Sequence, residues 1–312
     1  MQAQRFDANG NAIGSPIAVA TDTNGVSLPR VAQLAGGGWV VVWKASYPPY
    51  PGPTFSRLPT VKLQFKRFAA DGTQVQDTTD FEPAIAMGGF DVKGTADGGF
   101  AVASSIVPGP VHSDAFLQRF DANGSPVGTP QTGRLPAGES ESTNGGETNP
   151  WLVALPDNSL VMLWFRKIGG TTQGKVWMQH FDAKSAPIGD AVAFEQTLQD
   201  GVDPAGTGTG FAAAALSDAR IALTWSEFLA ANDPTPRRQF WLIADQAGGV
   251  QTPVGAMSVG RGIDGIAVSP PPAEASPSSR NLRRRDRPWQ SSRASTSCQW
   301  TTKAPRKGPG TP

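Results

Sequence analysis

Carboxylates are the main side chains in this sequence that could do acid–base chemistry. The chain has 26 aspartates and glutamates among its 312 residues, but only two histidines, His112 and His180, and one cysteine, Cys298. Two carboxyl groups are enough for glycoside hydrolysis, whereas a Ser-His-Asp triad needs one of the two histidines. A zinc site with several imidazole or thiolate ligands and an intrachain disulfide are excluded by these counts.

Neither histidine stands where a general base is expected. His112 lies in a Pro/Gly-rich loop with no nucleophile near it in the sequence, and His180 takes the place that Arg5 and Arg119 have in other copies of a repeat. The scattered carboxylates single out no pair. The sequence therefore predicts no catalytic residue.

Three aspartates at the same place in a recurring turn are candidate calcium ligands: Asp7, Asp121 and Asp182. Calcium prefers carboxylate oxygens, but the stretch Asp-x-Asn-Gly lacks the further acidic ligands and the closing glutamate of an EF-hand-type loop. An aspartate that accepts hydrogen bonds from its own turn explains the pattern better. We therefore predict no cofactor and keep calcium at these three residues as the weaker alternative.

Other polar and aromatic groups are also open to two interpretations. The insertion Arg134–Pro150 carries three glutamates and could bind a cation, although a solvated loop explains it as well. Thr95–Phe100 (TADGGF) partly matches the Asp box motif of sialidase-like propellers, but its aromatic residue comes too early in the motif. Four tryptophans could stack on a sugar, yet their place inside apolar strands favours the core: Trp39, Trp43, Trp164 and Trp225.

The elements that must position these residues come from an internal repeat. One stretch, QRFDANGSPVG at Gln118–Gly128, has three similar copies, at Gln4–Gly14, Lys66–Val75 and Gln179–Gly189. A fourth, degenerate copy lies at Leu242–Gly255. An apolar strand precedes each Asn-Gly-type turn, which is a strong hairpin signal. A second motif, a glycine or acidic turn followed by an apolar strand that usually ends in tryptophan, recurs about every 60 residues.

A period near 60 with about four strands per unit predicts an all-β, propeller-like array of four to five four-stranded blades over residues 1–268. Strands that are apolar on both faces fit blades stacked between neighbours. The chain opens on the phenylalanine strand, so in a closed ring this strand completes the last blade. After Gly255 the second motif does not return, and Gly262–Val268 is its only trace.

Residues 269–312 differ from the rest in composition. From Pro270 onward the chain carries a net charge of +7 with one leucine and no isoleucine, valine or phenylalanine, whereas residues 1–269 carry −6. Such a segment cannot bury enough apolar surface to offset its ordering entropy. We expect a disordered basic tail, and because it begins within a repeat, a shifted or truncated reading frame is our leading hypothesis.

The two motifs together resemble repeats of large bacterial secreted or cell-surface proteins, of the form Asp-Gly-Gly-aromatic-Val-Val-Val-Trp … Gln-Arg-Phe-Asp-Ala-x-Gly-x-Pro-x-Gly. These repeats often accompany haemolysin-type calcium-binding or adhesin modules. The resemblance covers roughly residues 1–268 and implies a propeller-like domain and export, although no signal peptide precedes the first repeat. It supplies no catalytic residues.

The sequence thus favours a non-enzymatic, monomeric binding or scaffolding module outside the cell or at its surface. Its expected partner is a protein or a carbohydrate, without a membrane span. The alternative is a carboxylate-based glycan-processing enzyme, glycosidase- or sialidase-like, on the same scaffold. A third, weaker possibility is nucleic-acid binding through the basic tail.

Overall fold

A computed structural model of the chain describes residues 1–21, 25–47, 60–81, 86–106, 114–136, 147–167, 174–194, 211–230, 233–252 and 255–259. All regular structure in this part is β-strand. No helix in the described ranges is long and apolar enough to cross a membrane. The strands form one two-stranded sheet and four four-stranded sheets, in which sequential strands pair antiparallel.

The sheets follow one another along the chain. The two-stranded sheet comprises β1 (Gln2–Phe6) and β2 (Ala12–Ala18). Blade I comprises β3 (Gly25–Gln33), β4 (Trp39–Tyr47), β5 (Thr60–Phe68) and β6 (Gln74–Phe81). Blade II comprises β7 (Ala86–Gly94), β8 (Phe100–Ile106), β9 (Asp114–Phe120) and β10 (Pro126–Thr132). Blade III comprises β11 (Glu147–Ala154), β12 (Leu160–Lys167), β13 (Gly174–Phe181) and β14 (Pro187–Ala193). Blade IV comprises β15 (Phe211–Ala215), β16 (Ile221–Ala230), β17 (Asp233–Ala244) and β18 (Gly255–Val259).

Nine turns of the described chain share one geometry. The amide of the first residue donates to the carbonyl of the fifth, as from Asp121 to Ser125 at 2.9 Å, and the amide of the fourth donates back to the first. The fourth residue has a positive φ, which suits glycine. Asn158, Ser185 and Ala219 take this conformation without being glycine. The turns joining the first two strands and the last two strands of a blade lie at the same end, which we call the turn face.

The apolar core lies between successive sheets. Blades I and II share a cluster that includes Val42 and Phe100, and blades II and III share one that includes Leu117 and Trp164. Blades III and IV meet through Leu163 and Leu223. The two-stranded sheet packs on blade I through Val19, Trp43 and Phe68, among others. Strands that are apolar on both faces in the sequence, such as β9 and β12, therefore bury both faces, as predicted.

The predicted all-β, propeller-like fold is confirmed, with four complete blades and a two-stranded sheet in the described residues. β1 and β2 have the sequence and turn of the third and fourth strands of a blade. The trace of a further motif at Gly262–Val268 and the predicted tail at 269–312 lie outside the described residues.

Candidate functional site

The first strands of the four blades (β3, β7, β11 and β15), which we call the inner strands, line an open cavity of about 590 Å³ near the turn face, which we call the axial cavity. This volume is within the range of small-ligand pockets. The wall is mostly backbone and small apolar side chains, because β15 contributes a run of alanines, Ala213–Ala215. The polar side chains among the described lining residues come from Gln33, Lys93, Thr95 and Ser217.

A charged pair and an indole meet beside this axial cavity. Asp91 and Lys93 lie on β7, with Lys93 Nζ 3.3 Å from Asp91 Oδ2, and the amide of Leu152 on β11 donates to the same oxygen at 3.0 Å. Lys93 also lies 5.1 Å from the ring centroid of Trp151, whose indole donates to the carbonyl of Ala213 at 3.1 Å. The three inner strands β7, β11 and β15 are thus tied together around the cavity.

The sequence analysis misses this group. Asp91 and Lys93 stand in a strand without a recognisable motif, and Trp151 lies outside the tryptophan series of the second motif. A signal was nevertheless present: at the positions of Asp91 and Lys93 the other inner strands hold Arg30 and Ala32, Trp151 and Val153, and Ala212 and Ala214, so a pair of opposite charges departs from the repeat. Asp91 is almost fully buried, whereas Lys93 is half-buried.

Three aspartates surround the turn-face mouth of the axial cavity at equivalent positions of consecutive blades. Asp97, Asp157 and Asp218 directly follow the lining residues Ala96, Pro156 and Ser217. Each accepts a hydrogen bond from an amide within its own turn. Their carboxylates thus already stabilise the turns in which they lie.

Asp97 is held by both its own blade and the next one. Thr95 Oγ1 donates to Asp97 Oδ1 at 2.5 Å, Asn158 Nδ2 donates to Oδ2 at 2.8 Å, and Arg119 lies 3.3 Å from the same oxygen. Partial burial opposes ionisation, but these hydrogen bonds outweigh it and lower the pKa of Asp97. A lowered pKa keeps Asp97 ionised and makes it a poor general acid.

The structure brings His180 next to a serine and an aspartate, but not as a triad. His180 Nε2 lies 3.0 Å from Ser159 Oγ, and Ser159 Oγ donates to Asp157 Oδ1 at 2.6 Å. In a triad the imidazole stands between the serine and the carboxylate, whereas here the serine stands between the other two. The Ser159 hydroxyl donates its hydrogen bond to Asp157, so these three side chains stabilise the turn between β11 and β12. His112 lies outside the described residues.

The three calcium candidates each close a turn. Oδ1 of Asp121 accepts hydrogen bonds from the amides of Asn123 and Ser125, both at 2.8 Å, and Asp7 and Asp182 do the same in their own turns. Hydrogen bonds, first from the side chain of Asn11, lower the pKa of Asp7. Within the described ranges, no group of three or more acidic, histidine or cysteine residues could hold a metal ion.

The remaining candidates serve the core or fall outside the described residues. Trp43 and Trp164 are fully buried, and Trp39 stacks on Phe68 with centroids 4.0 Å apart, in agreement with the core interpretation. In the insertion, Glu139 and Glu141 lie outside the described residues, and the described chain resumes at Glu147.

No protein-family model matches the chain, and no curated protein matches it. Solved structures do match. The α-L-arabinanase of Penicillium chrysogenum matches at 12% identity and a TM-score of 0.49, over 75% of this chain and 66% of that enzyme. The α-L-arabinofuranosidase of Fusarium graminearum matches at 12% identity and a TM-score of 0.48, with the same coverage. A polysaccharide lyase, an ulvan lyase, matches at 11% identity and a TM-score of 0.46, over 75% of this chain and 57% of the lyase.

The chain therefore spans less than two thirds of the length of these three enzymes. The sequence predicts a non-enzymatic binding or scaffolding module, and this prediction is wrong: the matched structures are two glycoside hydrolases and a polysaccharide lyase, which agree with the alternative instead. The error has a physical cause. The repeat motifs encode turns and the core between blades, and they carry no information about the residues at the axis.

Proposed function

We propose that the protein is a carbohydrate-processing enzyme whose substrate binds in the axial cavity. The observation that carries this proposal is the meeting of Asp91, Lys93 and Trp151: Lys93 lines the cavity, and Asp91 and Trp151 both contact Lys93. An aromatic ring beside fixed polar groups is the combination that a sugar, with its apolar faces and hydroxyl edges, requires. The cavity has room for a small number of sugar units.

The roles of the three residues follow from their contacts. Asp91 is held by the Leu152 amide and by Lys93, so its carboxylate has a fixed orientation. Among the described carboxylates, we assign Asp91 to acid–base or nucleophilic chemistry. Glycoside hydrolysis needs two such carboxyl groups. Lys93 would move from Asp91 to a substrate oxygen and so release the carboxylate, while Trp151 shields the site from water.

The test is product release from a panel of neutral and uronate-containing polysaccharides. Hydrolysis produces new reducing ends, whereas lyase chemistry also produces ultraviolet-absorbing unsaturated ends. We expect Asp91→Asn to lower kcat by a factor of about 100 or more and Lys93→Met to lower kcat/KM, since both act near the reacting bond. Asp80→Asn is the matched control, because Asp80 forms a similar pair with Lys62 on outer strands.

Two results would overturn the proposal: release of no product from any polysaccharide in the panel, or activity that survives both Asp91→Asn and Lys93→Met. The unfolding midpoint of each variant is measured in parallel, so that a loss of activity through misfolding is recognised. We further propose, from the resemblance of the repeats, that the protein acts outside the cell; cell fractionation with an antibody tests this.

A further inference from the structure

The charged pair beside the axial cavity has its cation, and not its anion, on the cavity side. Lys93 lines the cavity with 33% of its side chain exposed, whereas the side chain of Asp91 is 6% exposed and is not part of the lining. In the surface pair of Lys62 and Asp80 the carboxylate is instead the more exposed partner, at 41% against 27%. The pair of Asp91 and Lys93 therefore presents an ammonium group to a molecule in the cavity.

Among the described residues that line the cavity, Lys93 supplies the only formal charge. The other polar side chains of this lining are one amide and two hydroxyls, all of them neutral. At the position of Lys93 the other three inner strands hold alanine or valine: Ala32, Val153 and Ala214. The lysine therefore departs from the repeat and gives the described wall a positive charge.

The ammonium of Lys93 already has partners within the protein, and this restricts what can draw it into the cavity. Its Nζ lies 3.3 Å from Asp91 Oδ2 and 5.1 Å from the ring centroid of Trp151. Separating a partly buried ion pair is costly because it leaves uncompensated charge. A carboxylate on the ligand gives the ammonium a new counter-ion, whereas a neutral sugar hydroxyl does not. Asp91 keeps the hydrogen bond from the amide of Leu152 at 3.0 Å.

We propose that the sugar unit bound at Lys93 carries a carboxylate, so that the substrates are uronate-containing polysaccharides. This inference rests on the proposed function, because it names the substrate class of the same site. The substrate oxygen to which Lys93 moves is then a carboxylate oxygen. The ammonium has three N–H donors, enough to bind both oxygens of that carboxylate. The side chains of Gln33 and Ser217, which also line the cavity, are neutral groups suited to the sugar hydroxyls.

The charges at the mouth of the axial cavity are mostly paired. Asp97 Oδ2 lies 3.3 Å from Nη1 of Arg119, and Asp218 Oδ2 lies 2.7 Å from Nη2 of Arg220. Asp157, the third mouth aspartate, has no arginine partner among the described residues and is exposed to solvent. Salt screens an exposed charge beyond about 8 Å at physiological ionic strength. The mouth therefore opposes the entry of an acidic sugar only weakly.

The first test compares each uronate-containing polysaccharide of the panel, such as polygalacturonate or alginate, with its carboxyl-reduced form. Reduction replaces the carboxylate with a neutral hydroxymethyl group and leaves the linkages unchanged. We expect kcat/KM of the wild type to be higher on the uronate form by a factor of about 10 or more. This preference should disappear in Lys93→Met and persist in Lys93→Arg, which keeps the charge. Lys62→Met, in the surface pair, is the matched control and should keep the preference.

The second test measures binding separately from turnover, by calorimetry with galacturonate and glucuronate trisaccharides and their carboxyl-reduced forms. Asp91→Asn removes the counter-ion that Lys93 has within the protein, so no ion pair must be broken when the ligand binds. We expect this variant to bind a uronate trisaccharide more tightly than the wild type by a factor of about 10, and the reduced form equally well. Asp80→Asn makes the same change in the surface pair and should alter neither affinity.

Three results would each overturn the inference: equal kcat/KM on the two forms, a preference that survives Lys93→Met, or a uronate affinity that Asp91→Asn does not raise. Activity that is confined to neutral polysaccharides and lost in Asp91→Asn would overturn the inference and leave the proposed function standing. Uronate binding that requires Lys93, without product from any polysaccharide, would overturn the proposed function and leave a binding site for acidic sugars.

Discussion

The guanidinium of Arg119 in blade II reaches the main-chain oxygen of Asn158 in blade III, with Nη2 and the oxygen 2.5 Å apart. The same position makes the same kind of link elsewhere. Arg5 donates to the carbonyl of Asp71 in blade I, and Arg67 donates to the carbonyl of Ala122 in blade II. In blade III this position holds His180 instead. The repeated arginine is therefore a connection between blades on the turn face.

Removing the Arg119 connection should destabilise the fold strongly. The side chain is 1% exposed, and its loss removes the bond to Asn158 and leaves Asp97 without its cationic partner. We expect Arg119→Ala to lower the free energy of unfolding by about 2–4 kcal/mol. Arg134→Ala is the control, because the ion pair of Arg134 with Asp190 is exposed and is worth less than about 1 kcal/mol. Urea unfolding of both variants checks this; equal losses would contradict it.

The sequence predicts the parts of the fold that repeat. The Asn-Gly turns and the phenylalanine and tryptophan strands are regular in type and spacing, and the structure confirms them. The inner strands are harder to find from the sequence, because they carry no repeated motif and line a cavity, as the alanine-rich strand Phe211–Ala215 shows. The site is harder still. Asp91 and Trp151 lie 60 residues apart in sequence, and the approach of β7 to β11 brings them together.

Two of the three turns that lack glycine at their fourth position should gain stability from it. Ser185 and Ala219 have φ values of +69° and +62°, in a conformation that costs an L-residue about 1 kcal/mol relative to glycine. Ser185 is also buried, and its hydroxyl has no partner within the described residues. We expect Ser185→Gly and Ala219→Gly each to raise the free energy of unfolding by about 1 kcal/mol. Thermal unfolding measures the gain.

Ala215→Gly is the control for these two substitutions, because Ala215 lies in strand β15, where glycine loses stability instead of gaining it. A gain in all three variants would show that the effect is not specific to the turns, because glycine by itself raises the entropy of the unfolded chain and lowers stability. No gain in any of them would contradict the assignment of strain to Ser185 and Ala219.

Substitutions at Asp121 separate a turn aspartate from a calcium ligand. Its Oδ1 accepts two amide hydrogen bonds, and an asparagine oxygen can accept the same bonds. If Asp121 closes the turn, Asp121→Asn should keep the melting temperature within a degree or two, whereas Asp121→Ala should cost about 1–2 kcal/mol. If it binds calcium, the wild-type melting temperature should rise with calcium and Asp121→Asn should abolish the rise. Melting curves with calcium and with a chelator decide between the two.

Lowering the pH should destabilise blade III through the protonation of His180. Burial lowers the pKa of His180 below its ordinary value of 6.5, with Asp157 partly opposing the shift. Between the folded and unfolded pKa values the unfolded chain binds more protons, so stability falls as the pH drops below about 6.5 and levels off below the folded pKa. His180→Gln should remove this dependence, because glutamine does not titrate. Urea midpoints from pH 7.5 to pH 5 measure the slope.

Asp157 does not obscure this measurement, because hydrogen bonds, first from Ser159, lower the pKa of this aspartate below its ordinary value of 3.8. Its contribution to stability is lost only at more acidic pH. His180→Arg is the second variant, since it places the charge that Arg119 carries in blade II. An unchanged slope between pH 7.5 and pH 5 in both His180→Gln and His180→Arg would show that another group controls the acid response.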